Sequence, residues 1–310
     1  MRTRIDSGST CSDVLDPETV VSARGLTKRY GDFTAVDGVD FDIAANRIYG
    51  LLGRNGAGKT TVMQMLTGQV VETSGHVEVF GRRPFENAGV LENVCFIKES
   101  QKYPDEFKVK HVLAAARTLL PHWDNDFADQ LVDEFQLPRN RKVKKLSRGM
   151  TSAVGVIVGL ASRAPITFFD EPYLGLDAVA RDLFYQRLLA DYAEHPRTIL
   201  LSTHLIDEVS DLIEHVLLID KGRILLDDEA DALRSRAAVV SGPKQAVDAF
   251  AAGHTVLHTE ALGSVARTTV SATLTESDRA RAAAAGLELT PLSLQQLVVR
   301  STTAPKENVR

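Results

Sequence analysis

Residues 53–60 of the chain read Gly53-Arg54-Asn55-Gly56-Ala57-Gly58-Lys59-Thr60. It satisfies the pattern G-x-x-x-x-G-K-[ST] at every fixed position. The glycines permit a tight turn whose backbone N–H groups face an anion, while Lys59 adds a positive charge and Thr60 a hydroxyl suited to Mg²⁺. An apolar run precedes the loop at 47–52 and helical spacing follows it at 59–67. We therefore expect a strand, a phosphate-binding loop and a helix, with the whole loop and Thr61 contacting a nucleotide.

Two acidic residues at the end of an apolar run supply a second part of the same site. The run reads Ile166-Thr167-Phe168-Phe169, which is typical of a buried strand, and Asp170 and Glu171 follow it directly. In phosphoryl-transfer sites a carboxylate at such a strand end holds Mg²⁺, and a further residue orients the nucleophile. We expect Asp170 to hold the metal and Glu171 to lie where water attacks.

The pattern up to residue 235 alternates strands with helices. Predicted helices cover 109–120, 127–135, 148–161, 178–193 and 205–213. Predicted strands cover 166–169, 198–202, 216–219 and 223–226, after a β-like segment at 20–48. Apolar strands that alternate with helices predict an α/β fold, in which a mostly parallel sheet is covered on both faces.

The chain of 310 residues divides by composition into three parts. Residues 1–20 lack apolar periodicity and are expected to form a flexible tail, while 21–235 form the large domain. From 236 the composition shifts toward Ala, Val, Thr and Gly, which predicts a small α+β accessory domain at 236–310 with a disordered end from about 302. Its predicted strands are 238–240, 255–259, 266–271 and 287–289, and its predicted helices are 243–250, 276–285 and 294–299. Ser293 and Gln296 form a capping-box pattern at the last helix.

Composition and charge exclude several classes of protein. A net charge of −5 argues against a protein that coats nucleic acid, which needs a basic excess. The two cysteines, Cys11 and Cys95, are too few for a disulfide scaffold or a cysteine-rich metal site. The sequence contains no apolar run of the length that a membrane span requires, and its first residues are too polar for a signal peptide. We therefore expect a soluble, cytoplasmic chain.

Three further segments and one aromatic residue stand in order around the loop and the acidic pair. They are Leu146-Ser147-Arg148-Gly149-Met150, Leu174-Gly175-Leu176-Asp177, Ser202-Thr203-His204, and Tyr30. The whole set resembles the ATP-binding subunit of an ABC transporter, over roughly residues 20–235. In that family the segments correspond to the signature loop, the loop after the catalytic glutamate and the switch histidine, and the aromatic ring stacks on adenine.

The resemblance implies a P-loop NTPase of the ABC type. Its fold would combine a mostly parallel sheet core, an antiparallel β part and a helical subdomain at about 104–162. ATP and Mg²⁺ would be its cofactors, and Glu171, His204 and Lys59 its catalytic residues. The activity would be an Mg²⁺-dependent ATPase that powers transport by a separate membrane-spanning subunit, so that the chain sits on the cytoplasmic face of the membrane.

The signature loop also implies a dimer. Ser147 would cap a helix and present its hydroxyl to a γ-phosphate, together with Arg148 and the Gly149 backbone, and Asp177 would be a further nucleotide-binding residue. In the family the signature loop belongs to the partner subunit. Since the chain holds one copy of each motif, it would pair with itself or with a related ATP-binding subunit. The C-terminal appendage resembles those of export-type systems, which favours export.

Two positions depart from the family pattern. The signature loop has Arg148 and Met150 where Gly and Gln are usual. The glutamine that reaches Mg²⁺ in the family is replaced by Glu99, with Gln101 as the alternative. A carboxylate also ligates Mg²⁺, so Glu99 is the predicted metal ligand. The segment 103–107 beyond it is the expected contact for a helix of the membrane subunit.

Other functions stay open at this point. A soluble ABC-type ATPase acting on ribosomes or DNA would use the same dimer, and the altered signature and glutamine loops fit a regulatory cassette with weak hydrolysis. The basic cluster at 139–145 is either a solvated charged face or a local contact near ATP or the membrane partner. No nucleic-acid partner is expected.

Overall fold

The computed structural model describes residues 19–99, 101–235, 237–271 and 274–296. The predicted tail therefore lies outside the described residues except for Thr19 and Val20, which already belong to the first strand. The predicted disordered end and the second half of the helix at 294–299 also lie outside them.

The large part of the chain, up to residue 235, contains the elements that carry the predicted motifs. Its strands are β1 (Thr19–Tyr30), β2 (Phe33–Ala44), β3 (Ile48–Leu52), β4 (Ser74–Val79), β5 (Val94–Lys98), β6 (Ile166–Asp170), β7 (Thr198–Thr203), β8 (His215–Asp220) and β9 (Arg223–Glu229). Its helices are α1 (Lys59–Leu66), α2 (Ala88–Leu91), α3 (Val109–Leu119), α4 (Asn125–Glu134), α5 (Arg148–Ala161), α6 (Ala178–Glu194), α7 (Ile206–Val209) and α8 (Ala230–Ser235).

The central sheet has the strand order β5-β6-β7-β3-β8-β9. All neighbouring strands are parallel except β8 and β9. Every residue of β3, β6 and β7 is buried, which explains their continuous apolar runs. The predicted mostly parallel sheet is therefore confirmed. Because β6, β7 and β3 are adjacent, the residues that follow their carboxyl ends lie at one edge.

A second, antiparallel sheet has the order β2-β1-β4 and covers one side of the central sheet. Its apolar residues share a core with α1 and with one face of the central strands. The helices α3, α4 and α5 pack on the other face, in a second core that includes Val112, Leu131 and Ile157. The predicted bounds of α5 are confirmed, and the Ser147 hydroxyl caps this helix by accepting a hydrogen bond from the Met150 N–H at 3.2 Å.

The C-terminal part forms a four-stranded antiparallel sheet of order β11-β12-β10-β13. Its elements are β10 (Ala237–Pro243), α9 (Lys244–Ala251), β11 (Thr255–Leu262), β12 (Val265–Ser271), α10 (Glu276–Ala284) and β13 (Glu288–Pro291). Residues of α9 and α10 pack with β10 and β12 in a small core of its own. Leu294, beyond β13, is buried in the core that α3, α4 and α5 share with the central sheet. The end of the C-terminal part thus returns to the large part of the chain.

Most predicted bounds differ from the observed ones by a few residues, and two of the differences have a clear structural cause. The helix predicted at 205–213 is α7 alone, because the chain turns inward after it: Ile213 packs on Gly50, and the Glu214 N–H donates to the Ile48 carbonyl at 3.0 Å. The strand predicted at 287–289 begins at Glu288, because the Leu287 N–H still donates to the Ala282 carbonyl and so closes α10.

Candidate nucleotide-binding site

The loop between β3 and α1 forms the floor of the site. Its conformation depends on glycine at two positions with positive φ, Gly53 (158°) and Gly58 (112°). A Cβ atom would lie 2.3 Å from the Ile219 carbonyl oxygen at Gly53, and 2.6 Å from the Ala35 carbonyl oxygen at Gly58. Neither backbone oxygen is free to move aside, so the fold excludes larger residues at both positions.

Lys59 begins α1 and is almost fully buried. Its ammonium group donates to the carbonyl oxygens of Gly53 at 2.8 Å and Arg54 at 3.3 Å. It also lies 3.2 Å from Oε1 of Glu171, and the side chains are only 5% and 11% exposed. The two predicted catalytic residues from distant parts of the sequence therefore form a buried ion pair, in which each charge compensates the other.

Oxygen atoms suited to a hard cation converge beside this pair. The Thr60 hydroxyl donates to Oδ2 of Asp170 at 2.7 Å, and the Ser202 hydroxyl donates to Oδ1 at 2.7 Å. No group of three or more His, Cys, Asp or Glu side chains able to hold a metal occurs within the described ranges. A site for Mg²⁺ in a nucleotide enzyme needs fewer, because phosphates and waters supply the remaining ligands. One hydroxyl and one carboxylate therefore fit this metal.

Glu171 is held in an unusual backbone conformation. Its φ is 49°, a left-handed value that is uncommon outside glycine. The backbone N–H of Glu171 donates to the Ser202 hydroxyl at 3.0 Å, and Oε2 lies 2.7 Å from Nδ1 of His204. Because a carboxylate only accepts, this histidine nitrogen carries a proton. The carboxylate thus has Lys59 at one oxygen and His204 at the other.

The Tyr173 hydroxyl contacts both Glu171 and His204. This residue was not predicted from the sequence. Its hydroxyl accepts hydrogen bonds from the Thr203 hydroxyl at 2.9 Å and from the backbone N–H of His204 at 3.2 Å. It also lies 3.4 Å from Oε2 of Glu171. Burial raises the pKa of Tyr173 to about 12, so the phenol stays neutral at physiological pH. The only sequence signal was a large aromatic residue two positions after the acidic pair, beyond Pro172.

Lys59, Thr60, Asp170, Glu171 and His204 line one cavity of about 590 Å³, whereas Ser202 and Tyr173 lie behind its lining residues. Its lining comprises Phe33, Ala35, Asn55, Gly56, Ala57, Gly58, Lys59, Thr60, Thr61, Glu99, Asp170, Glu171, Leu174 and His204. Tyr30, expected to stack on adenine, is not among them. The tight turn between β1 and β2 pairs Tyr30 with Phe33, and the structure brings Phe33 to the cavity, with 63% of its surface exposed.

The predicted signature residues lie outside this cavity. Ser147, Arg148 and Gly149 begin α5, and Asp177 caps α6 by accepting from the Ala180 N–H at 2.8 Å. A Cβ atom at Gly149 would lie 2.7 Å from the carbonyl oxygen of Gly175. The first turn of α5 and the loop before α6 are thus in close contact. None of these four residues lines the cavity that holds Lys59 and Glu171.

The two departures from the family pattern contact each other. The Arg148 guanidinium lies 3.1 Å from Oε1 of Glu99, on a surface where both side chains are well exposed. Glu99 lines the nucleotide cavity, whereas Gln101 lines a separate cavity of about 370 Å³ with Tyr103 and Phe107. Of the two alternatives for the glutamine position, the structure therefore places Glu99 at the nucleotide cavity.

The basic cluster is paired within the chain. Arg139 forms ion pairs with Asp129 and Asp133, and the two lysines Lys142 and Lys144 contact Glu106. Hydrogen bonds from these two lysines lower the pKa of Glu106 to about 2. The cluster therefore has acidic neighbours that offset much of its charge.

The fold and the cavity define a P-loop ATPase. The family model described as ABC transporter matches residues 36–174. The bacitracin transport ATP-binding protein BcrA of Bacillus licheniformis is 30% identical over 70% of this chain and 72% of its own length. The Nod factor export ATP-binding protein I of Ralstonia nicotianae is 33% identical over 66% of this chain and 65% of its own. A solved ATP-binding subunit of an ABC transporter shares the fold, with a TM-score of 0.63 and 23% identity over 70% of this chain and 92% of that one.

The chain belongs to the ABC transporter ATP-binding family. Membership establishes the predicted fold class and an ATP-binding ATPase subunit of a transporter. Within the part of the chain that the structure describes, no helix has both the length and the apolarity needed to cross a bilayer.

Proposed function

We propose that this chain is the Mg²⁺-dependent ATPase subunit of an exporter, working as a dimer on a separate membrane subunit. The observation that carries the proposal is the convergence of Lys59, Thr60, Asp170, Glu171 and His204 on one cavity. Export is supported by the names of relatives, which include bacitracin and lantibiotic transport proteins, a daunorubicin resistance protein and a Nod factor export protein. Such a subunit would act at the cytoplasmic face of the membrane.

When ATP binds, its phosphates would replace Glu171 as the partner of the Lys59 ammonium group. The Lys59 ammonium contacts Glu171 at 3.2 Å, and the phosphates of ATP compete with that carboxylate for the same charge. When Lys59 turns to the phosphates, Glu171 loses its cation and becomes free to accept a proton from water. His204 remains at the other oxygen and keeps the carboxylate oriented toward the γ-phosphate.

Thr60, Asp170 and Glu99 are the proposed residues around Mg²⁺. The metal supplies charge neutralisation at the phosphate oxygens. The Thr60 hydroxyl and Asp170 already lie in contact, and Ser202 fixes the Asp170 carboxylate from its other side. Glu99 lies at the cavity rim, where Arg148 pairs with it, so it is available to the metal only if that pair opens.

The dimer is proposed from the position of the signature residues. Ser147 caps the N-terminus of α5 outside the lining of the chain's own cavity, and such a terminus attracts phosphate. A second copy or a related subunit would supply the nucleotide that Ser147, Arg148, Gly149 and Asp177 bind. The apolar cavity beside Tyr103 and Phe107 is the proposed contact for the membrane subunit. We also propose the divisions 1–20, 21–235 and 236–310.

The Glu171→Gln variant tests the proposed base. The amide keeps the size of the side chain but accepts no proton from water, so turnover should fall by about 10²–10⁴-fold. ATP binding, measured by calorimetry with Mg²⁺ present, should persist. The control Glu92→Gln changes an exposed glutamate outside the cavity and should hydrolyse ATP like the unchanged protein. Turnover within tenfold of normal in Glu171→Gln would reject Glu171 as the base. If the unchanged protein binds ATP without hydrolysing it, the chain is a regulatory cassette.

A further inference from the structure

The two edges of the C-terminal sheet differ in how they are protected. One edge, β13, has four residues, begins with Glu288 and ends with Pro291, which lacks an N–H donor. The other edge, β11, has eight residues, all of them exposed. Val256, Leu257 and Leu262 are 47%, 49% and 88% exposed. Among the described residues, β13 is thus a short edge that ends in proline, whereas β11 is a long edge with no strand on its outer side.

An open edge strand presents unpaired backbone donors and acceptors that invite another strand. Proteins usually block such edges with lysine, proline, a bulge or a covering element. The stretch 255–262 contains neither lysine nor proline. It has one irregularity, between Val256 and His258, and from His258 to Leu262 its pairing with β12 is regular. This edge is therefore suited to pairing with a further strand.

We propose that β11 pairs antiparallel with β11 of a second copy of this chain, with Thr259 on the two-fold axis. In this register His258 lies opposite Glu260 of the second copy, and Glu260 lies opposite its His258. The irregularity between Val256 and His258 ends the regular register, so the contact is centred on His258, Thr259 and Glu260. The polar residues of this centre thus meet complementary ones. The two four-stranded sheets would become one continuous sheet.

The complementary hydrogen-bonding groups of His258 and Glu260 select this register over its neighbours. Moving the axis to His258 places the two His258 side chains opposite each other. Moving it to Glu260 places two carboxylates in direct opposition, which is destabilising. An axis between residues brings no histidine opposite a glutamate. Within each strand His258 already lies 3.1 Å from Glu260, so the pairing would join two such pairs into a ring of four side chains.

Disulfide trapping tests both the contact and its register. Only residue 259 lies opposite itself, so Thr259→Cys should form a disulfide-linked dimer in mild oxidant. Thr255→Cys on the same strand should not, because residue 255 lies beyond the irregularity and away from the two-fold axis. Both variants are made with Cys11→Ser. The remaining thiol, Cys95, is buried, and burial raises the pKa of Cys95 to about 11, which keeps it unreactive.

The contact should not depend on ATP, and this separates it from the proposed ATPase. Linking of Thr259→Cys should proceed equally with and without nucleotide, and also when Lys59→Ala is added. Linking that requires ATP would show that the ATP dimer alone brings the copies together, and would overturn the proposed edge contact. Equal linking of Thr255→Cys and Thr259→Cys would overturn it too, as would a folded Thr259→Cys protein that stays monomeric.

Charge exchange provides an independent test in the Thr259→Cys background. His258→Glu places like charges opposite each other and should slow linking about fivefold, since two pairs are affected per dimer. Glu260→Lys should slow it through loss of the same two pairs. The double variant restores opposite charges at both pairs and should recover the original rate. If the double variant links no faster than either single variant, the register is wrong.

Discussion

At the scale of single residues, the buried ion pair of Lys59 and Glu171 is expected to affect both ATP binding and the stability of the protein. The pair is buried, and removing one partner of such a pair leaves an uncompensated charge in a poorly solvated place. Lys59→Ala should therefore weaken ATP binding and also lower the free energy of unfolding by about 3 kcal/mol in the absence of nucleotide. Denaturant unfolding followed by circular dichroism measures the second effect.

The double variant Lys59→Ala with Glu171→Gln is the matched control. It removes both charges, so most of the lost stability should return although ATP binding stays weak. If the double variant is as unstable as Lys59→Ala alone, the loss comes from the missing lysine stem and its carbonyl contacts rather than from the unpaired carboxylate.

Some residues of the site could be predicted from the sequence and others could not. Lys59 and Asp170 stand in local patterns, because the loop and the strand end each impose a fixed spacing. Phe33 and Ser202 act through contacts between distant strands. Phe33 reaches the cavity because of the turn after Tyr30, and Ser202 meets Asp170 because β6 and β7 are in register at these residues. Such contacts depend on strand order and register, which no local motif contains.

At the scale of elements, the contact between α5 and the loop before α6 couples the signature residues to the Glu171 segment. Gly175 has a φ of 98°, and a Cβ there would lie 2.8 Å from the Arg148 Cγ and 3.0 Å from the Ser152 hydroxyl. The Ser152 hydroxyl also donates to the Leu174 carbonyl at 2.7 Å. A change at Gly175 should therefore move the first turn of α5.

The variant Gly175→Ala tests this coupling, and Gly81→Ala is its control because both glycines have a positive φ. Gly81 has a φ of 68° and open space around its Cβ position. Each substitution should cost about 1 kcal/mol in the free energy of unfolding through backbone strain. Only Gly175→Ala should also lower ATP turnover, by about tenfold, because it displaces Arg148 and Ser152. Equal turnover in the two variants, measured by phosphate release, would show that this contact has no part in hydrolysis.

The helices also show where periodicity is sufficient and where it fails. The bounds of α5 follow from its apolar spacing and its serine cap, and both are properties of the local sequence. The helix predicted at 205–213 is shorter, because Ile213 is drawn onto Gly50 of β3. Ile213 would fit the apolar face of a longer helix equally well. The sequence therefore does not show whether the helix continues to residue 213 or the chain turns toward the sheet before it.

At the scale of the whole molecule, Leu294 connects the end of the C-terminal part to the core of the nucleotide-binding part. Leu292 is buried with Ala237 and Val239 on the C-terminal sheet, whereas Leu294 is buried in the core beneath α3, α4 and α5. The chain therefore passes from one core to the other between Leu292 and Leu294, with only Ser293 between them. The composition shift at 236 predicts a separate appendage, but it contains no information about this return.

Leu294→Ala tests whether the return stabilises the nucleotide-binding part. Truncating a buried leucine costs about 2–5 kcal/mol, and here the cavity would open in the main core. Trp123 is the single tryptophan of the chain and packs against that core, so its fluorescence reports unfolding there. Leu287→Ala removes the same atoms from the core of the C-terminal sheet. We expect Leu294→Ala to lower the denaturant midpoint of Trp123 fluorescence more than Leu287→Ala does. If Leu294→Ala lowers this midpoint no more than Leu287→Ala does, the contact of Leu294 with the main core does not stabilise that core.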